Sequence, residues 1–536
     1  MRTDVIKTYK DVHSWVGIIA GLALFIAFYA GAITMFAEPL NRWASAPTGI
    51  STPPTLDRTP ELIEKVLRAR PDARAAYTVH FETGPDEPAR LSWTTGNRRA
   101  PGPTFLAALA PDGTVQVVRQ DASPVAEFVD VLHQKVGLPL SRSAAMPVMG
   151  VIALLYAVAI ISGVICLLPS LVKDLFALRF GKNVKRMWLD LHNLLGLFSL
   201  PFHIVMAITA VIFAFHDQIY DAQGTVHQVG AAKVERRAPP PPGPPKPPAF
   251  EAVHGTLSPA ELQRRIKAQA PGFALRSITY RYDAKKGAHG DITGVDPRYG
   301  MRAPTYGRAE IDTRTGAITG ADYMPGRQGP WFAAVTSFFT LHFGSFGGAP
   351  VRWSYFLLGL AGAFLFYSGN LLWIESRRRK ERKAGAVTQT RTTRVLGSLT
   401  VGVPLGCIAG ISLTIAATKW LSPHVPPHEG DLAAWHSRIY YLVFVAAVVW
   451  ALIRGAARGG SELLWLAAAA TAAIPLTTLL SPVLAQGWSH AGASRLVDLV
   501  AILGASGFAM MARAARRRSV AGPRDSVWAN PATATI

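Results

Sequence analysis

Trp188–His216 reads WLDLHNLLGLFSLPFHIVMAITAVIFAFH. The run is mostly apolar and long enough to cross a bilayer, where ~20 apolar residues suffice. Two histidines lie inside it, His192 and His203. On one continuous helix their spacing returns the second to within roughly 20° of the first, ~16.5 Å further along. Ionisable side chains at membrane depth are costly, so they mark functional positions by default. Two imidazoles on one face, three turns apart, are what a membrane helix needs to hold two stacked haems. The plainer reading is one buried polar contact and one interfacial histidine.

Working outward, the chain has 536 residues, 50% of them apolar, and a formal net charge of +21. The apolar residues come in long runs, so the chain reads as a polytopic α-helical membrane protein whose surroundings are a lipid bilayer. Its charge gathers in short segments beside those runs, including Lys173–Arg186, Arg377–Lys383 and Arg513–Arg518. That is the positive-inside pattern and not a nucleic-acid groove. Cys166 and Cys407 both sit in apolar runs, and no CxxC or CxxCH is present, so any haem is non-covalent and b-type.

The basic N-terminus leads into an apolar run from Ser14 to Phe36, too long for the core of a signal peptide. Further spans fall at roughly 147–169, 190–213, 352–374, 396–417, 435–453, 462–484 and 494–512. Eight spans with both termini cytoplasmic place every basic loop inside. The organisation follows: helix one (1–37), a periplasmic insert (38–145), helices two and three around a basic loop (146–216), and a second periplasmic insert (217–330). A histidine-bearing segment with helix four (331–375), a basic loop with helices five to eight (376–518) and a disordered tail (519–536) complete it. The second insert begins with a polyproline spacer, Ala238–Pro248.

The first half is duplicated. DVHSWVGIIAGLALFIAFYAGAITMFAE from Asp11 aligns with DLHNLLGLFSLPFHIVMAITAVIFAFHD from Asp190, matching His13 to His192 and Gly17 to Gly196. Both inserts open on a helix start, Thr59-Pro60 and Ser258-Pro259, with the first residue of each as N-cap. β-rich stretches follow, with hairpin turns at Asp112-Gly113 and Thr315-Gly316. Each insert therefore reads as a small α+β domain. FVDVLHQKVG with His133 then parallels FFTLHFGSFGG with His342, each just before a span. The last four spans show no match to this unit.

Five histidines stand out: His13, His133, His192, His203 and His342. His13 and His192 occupy equivalent inner helix ends, so a pseudo-two-fold axis can bring them face to face as axial ligands of a low-spin haem. Asp11 and Asp190 are read as helix N-caps. Gly17 and Gly196 leave room for a flat macrocycle, with close helix packing as the alternative. His203 aligns with Leu24, so a second haem is asymmetric, its other ligand coming from His342 or His133. His436 and His490 lie near the outer ends of later spans, and His80 and His289 read as solvated.

The D-x-H-x-x-x-G helix starts, the LPFH of helix three, the paired LH segments and the duplicated inserts resemble the PepSY-associated transmembrane family over roughly residues 5–375. The resemblance implies two PepSY-like periplasmic domains and an iron-regulated inner-membrane reductase. It implies haem b, two per chain, held by His13, His133, His192, His203 and His342. It also implies electrons passed outward to ferric siderophore iron in the periplasm. No GxGxxG between strand and helix, flavodoxin-like segment or Walker motif is present, so the chain has no flavin or nicotinamide site. Electrons then come from a cytoplasmic reductase or membrane quinol. The alternatives are a haem-free scaffold or regulatory protein and, from the duplication and many spans, a transporter.

Overall fold

The computed structural model describes residues 3–46, 48–84, 87–97, 100–110, 112–120, 122–171, 184–218, 247–253, 255–283, 287–300, 306–385, 389–422, 424–425, 431–480, 494–523 and 525–529. Residues 238–246 of the polyproline spacer and His490 lie outside them. The first repeat runs α1 (Thr3–Thr34), α2 (Ala37–Ala44), α3 (Thr59–Ala69), β1 (Ala76–His80), β2 (Leu91–Asn97), β3 (Ala100–Leu109), β4 (Val115–Gln120), α4 (Val125–Gln134) and α5 (Arg142–Leu167). The second runs α6 (Val184–Phe198), α7 (Leu200–Ala214), α8 (Phe250–Val253), α9 (Pro259–Gln269), β5 (Ala274–Asp283), β6 (Gly287–Val295), β7 (Gly307–Ile311), β8 (Ile318–Tyr323), α10 (Pro330–Phe343) and α11 (Gly348–Lys383). Three helices follow: α12 (Arg391–Leu421), α13 (Asp431–Leu480) and α14 (Ser494–Ala521). Two compact units result, one of Met1–Ala44, Ser123–Gly230 and Trp353–Ile536, the other of Ser45–Ala122 and Ala231–Arg352.

Six helices of the described residues are long and apolar enough to cross a membrane: α1, α5, α11, α12, α13 and α14. The stretch expected to be one continuous span is instead two helices, α6 and α7, bent by 67° and together able to make a seventh span. Proline explains the break: Pro201 has no N–H for the Leu197 carbonyl, and its ring crowds that carbonyl. Ser199 leaves the helical region (φ −90°, ψ 5°), and its hydroxyl donates to the Leu195 carbonyl at 2.5 Å. α13 is broken as well, at Gly455 (φ 74°, ψ 163°), a conformation open in practice only to glycine. The break falls between the spans read at 435–453 and 462–484.

Small residues set the packing of the helical unit. On α12 a Cβ at Gly402 would lie 2.9 Å from Ala451 Cβ, one at Gly406 3.0 Å from Ala447 Cβ, and one at Gly410 2.9 Å from the Tyr440 ring. This glycine ridge lets α13 approach backbone to backbone, the small-residue packing of membrane helices. α4 is amphipathic, and its Phe128, Val129 and Leu132 are buried with Ile26 and Ala30 of α1, Cys407 and Ile411 of α12 and Tyr440 of α13. The segment after Arg518, expected to be disordered, is partly held in place. Arg378 pairs with Asp525 at 2.8 Å, and the Val527 amide donates to Gln389 Oε1 at 2.8 Å.

The strands of both inserts join in one eight-stranded antiparallel sheet, ordered β4-β3-β2-β1-β5-β6-β7-β8. The sequence pattern of each insert is that of a domain of its own. Alone, each would leave an edge strand of unpaired backbone groups, and pairing β1 with β5 removes both edges. Their register matches Thr78 to Thr279 and Tyr77 to Tyr280, whose rings stack at 4.9 Å. One core serves both halves, with Leu62 and Val66 of α3, Leu262 and Ile266 of α9, and Val79, Leu91, Ile278 and Ile292 of the strands. Both hairpin turns form, at Gly113 (φ 79°) and Gly316 (φ 74°). Ser258 caps α9 by accepting from the Glu261 amide at 3.3 Å. Thr59 does not cap α3: a 3₁₀ turn precedes it, and its hydroxyl donates to the Thr55 carbonyl at 3.2 Å.

Candidate functional site

His13 on α1 and His192 on α6 meet in the helical unit, their ring centroids 6.3 Å apart and their planes at 76°. The His13 Nδ1 lies 2.9 Å from the Ala159 carbonyl of α5, which can only accept, so Nδ1 carries the proton and Nε2 a lone pair. His192 Nδ1 lies 3.0 Å from Ser368 Oγ of α11, and that hydroxyl already donates to the Leu365 carbonyl at 2.9 Å. Ser368 therefore accepts from Nδ1–H, and His192 too presents its Nε2 lone pair.

Glycines let the rings reach these acceptors. A Cβ at Gly163 of α5 would lie 2.9 Å from His13 Cε1, and one at Gly369 of α11 3.6 Å from His192 Cε1. The two helices repeat one device: acceptor carbonyl, serine, glycine, as Ala159, Ser162, Gly163 and again as Leu365, Ser368, Gly369. Ser162 Oγ also approaches His13 Nδ1, at 3.5 Å. These partners lie on α5 and α11, outside the aligned segments of the repeat. The Ser-Gly steps at 162–163 and 368–369 are their sequence signal.

The ring separation is the one a shared metal would require. Each imidazole–metal bond is about 2 Å and each ring nitrogen lies about 1 Å from its centroid, so two axial imidazoles place their centroids about 6 Å apart. The observed separation agrees. Nothing lies within 4 Å of a Cβ at Gly17, and the nearest atom to one at Gly196 is a Leu365 methyl at 3.7 Å. Neither glycine is a tight packing residue, and both leave room one turn from the histidines. Among the described residues no three His, Cys, Asp or Glu side chains converge to hold a bare metal ion, whereas a haem needs only two axial ligands. Asp11 and Asp190 are not caps, because α1 and α6 begin upstream of them; Asp190 is buried and pairs with Arg186 at 3.1 Å.

His203 on α7 occupies a second level. It is 2% exposed, its Nδ1 lies 2.5 Å from the Tyr156 hydroxyl of α5, and its buried Nε2 has no hydrogen-bond partner among the described residues. Phe28, Phe202 and Phe366 surround it at centroid distances of 5.6, 5.7 and 6.4 Å. A Cβ at Gly362 would lie 3.1 Å from its Cε1. Gly362 is seven residues from Gly369, and Tyr156 seven from Gly163, so the two levels are ~10.5 Å apart along both helices. The 67° bend between His192 and His203 replaces the straight-helix spacing of ~16.5 Å.

His133 on α4 places its Nδ1 2.7 Å from the Ala27 carbonyl of α1, with Gly31 opposite: a Cβ there would lie 2.8 Å from that nitrogen. It repeats the carbonyl-and-glycine device, and Ala27 adjoins the Phe28 that packs on His203. His342 lies on α10 in the other unit, half-buried and edge-on to Phe343 at 5.5 Å. Two residues read more weakly are also partnered. His436 is fully buried with Nε2 3.0 Å from Thr418 Oγ1. His80 is not solvated: Nε2 meets Ser92 Oγ at 2.8 Å, and burial, then the Arg90 cation, push its imidazole down to about 4.

Similarity to known proteins identifies the family of the chain. An uncharacterized protein of Pseudomonas aeruginosa is 23% identical over 299 residues, covering 52% of this chain and 69% of its own. Residues 11–376, which hold all five histidines and both repeats, match the family described as the PepSY-associated TM region, and the chain belongs to that family.

Proposed function

We propose that this protein is a haem-b electron conduit of a bacterial inner membrane that reduces ferric siderophore iron on the outer side. The observation that carries the reading is the close pair His13 and His192, each with Nδ1 engaged and a lone pair left on Nε2. His13 and His192 would hold one haem, and His203 would hold a second together with His133. Bound haem supplies reversible one-electron storage. The helices exclude water from it, the glycines admit it, and the carbonyl and hydroxyl acceptors keep the His13, His133 and His192 imidazoles in the ligating tautomer. A cytoplasmic reductase or membrane quinol supplies the electrons. Iron(II) binds hard oxygen ligands weakly, so reduction releases the metal from its chelate.

Eight spans, with the bent pair and both halves of α13 each crossing, leave the termini and basic loops inside. The sheet unit is then periplasmic. Two measurements test the proposal. The purified protein, expressed with ample haem, shows a Soret band and α-bands that appear on reduction and are bleached by a ferric chelate. Absence of the Soret band removes the reading. Reporter fusions within residues 60–130 and 255–325 report outside, and a cytoplasmic signal from either reverses the direction of electron flow.

A further inference from the structure

α10 is the counterpart of α4 in the repeat, yet it wears its side chains the other way out. Placing His133 on His342 puts Val125 on Ala334, Leu132 on Leu341, Asp130 on Phe339 and Gln134 on Phe343. In α4 the apolar positions are covered, Val125 and Leu132 being buried in the cluster that holds Ile411 of α12 and Tyr440 of α13. Its Gln134 Nε2 donates to Asp130 Oδ2 at 2.7 Å. In α10 that polar pair has become an aromatic one, Phe339 and Phe343, stacked at 6.2 Å. The residues α10 buries are Thr336 and Thr340, whereas Trp331, Leu341 and Phe343 stand 57%, 37% and 43% exposed.

In water such a helix is inside out, because burial favours apolar side chains and leaves hydroxyls to the solvent. Here the hydroxyl is satisfied internally: Thr336 Oγ1 donates to the Phe332 carbonyl at 2.9 Å and accepts from Gln328 Nε2 at 3.0 Å. That arrangement suits hydrocarbon, where polar groups need partners within the protein. An apolar helix of 14 residues is too short to span a bilayer, and one that is not a core helix has the length of an interfacial or re-entrant segment. No Asp, Glu, Lys or Arg stands between Arg327 and Arg352. Gly344 ends α10 in the left-handed region (φ 60°). The five steps from Phe343 to Gly348 reach at most ~17 Å, so the end of α10 is tied to the start of α11, a helix long and apolar enough to cross a membrane. The exposed apolar surface continues through Phe346, 39% exposed, to Leu357 of α11, 60% exposed.

We infer that α10 lies in the bilayer, in the outer leaflet of the proposed topology, and that lipid acyl chains cover the face whose counterpart on α4 is covered by α12 and α13. Those C-terminal helices occur once in the chain and the repeat twice, so the same protein cover does not serve both copies. Phenylalanines at the positions of Asp130 and Gln134 extend the apolar face to the side that α4 keeps polar. α10 thereby anchors the sheet unit to the membrane, and His342, between Leu341 and Phe343, is an imidazole at the lipid boundary and not one in bulk water. Lipid contact at α10 requires no haem and holds whether or not the chain is a reductase.

Spin-label accessibility tests this on the full chain in nanodiscs of phosphatidylethanolamine and phosphatidylglycerol. With Cys166 and Cys407 replaced by alanine, a nitroxide is attached at Leu341→Cys or at Phe343→Cys. Its relaxation by oxygen, which concentrates among acyl chains, is compared with that by a water-soluble nickel chelate. The oxygen-to-nickel ratio is expected to approach that of a label at Leu357→Cys on α11. It is also expected to exceed several-fold that at Arg314→Cys, on the exposed hairpin turn of the sheet unit. A ratio no higher than at Arg314→Cys overturns the inference, because the face then meets water. Protection from both reagents overturns it too, because a second copy or another protein then covers the face. Should one of the two variants fail to fold, the other decides. The readout needs no haem, so a protein without a Soret band fails the haem reading alone.

Discussion

His192→Ala is expected to lose one haem and keep the other. The imidazole it removes faces His13 at 6.3 Å, so His13→Ala loses the same haem. The His203→Ala protein shows the converse, keeping the inner haem, accepting electrons and failing to deliver them. Its reduction of a periplasmic ferric chelate falls by more than about 100-fold, the upper end of what losing only a supporting partner costs. Haem content and chelate reduction measured on the three variants check this. If His13→Ala and His192→Ala lose different haems, the two do not share a metal, whatever the protein reduces.

Gly163→Val is expected to imitate His13→Ala without touching a ligand. A Cβ at this position would lie 2.9 Å from His13 Cε1 and 3.1 Å from Nδ1, so the ring must leave the Ala159 carbonyl. Overpacking of this kind costs about 1–3 kcal/mol of stability. Loss of the partner that orients a ligand weakens metal affinity by about 10–100-fold. The outer haem proposed at the His203 level serves as the internal control. Haem titration of the variant followed by thermal unfolding separates the two effects. Inner-haem affinity unchanged in a stably folded Gly163→Val protein would show that His13 needs neither the carbonyl nor the close approach.

Local physics was enough for several features. Hydropathy marked the membrane class, and the positions of Lys and Arg set the proposed orientation. The alignment of His13 with His192 named a pair that the structure brings together. Ser258-Pro259 and the two glycine turns were legible because caps and turns are settled within four residues. What the sequence could not determine lies in contacts between distant segments. The His13 ring meets a carbonyl 146 residues away, and no periodicity encodes which helix will stand opposite. A straight helix was the default for Trp188–His216, and only packing against α5 and α11 shows how the Pro201 break aims His203 at Tyr156. The two inserts carry complete α+β patterns, so their fusion is invisible until β1 and β5 pair and satisfy each other's edges. Tyr156 and Gly362 look unremarkable in isolation. Their roles emerge because two helices of equal register present different side chains to one histidine, and that asymmetry exists only once the chain has folded.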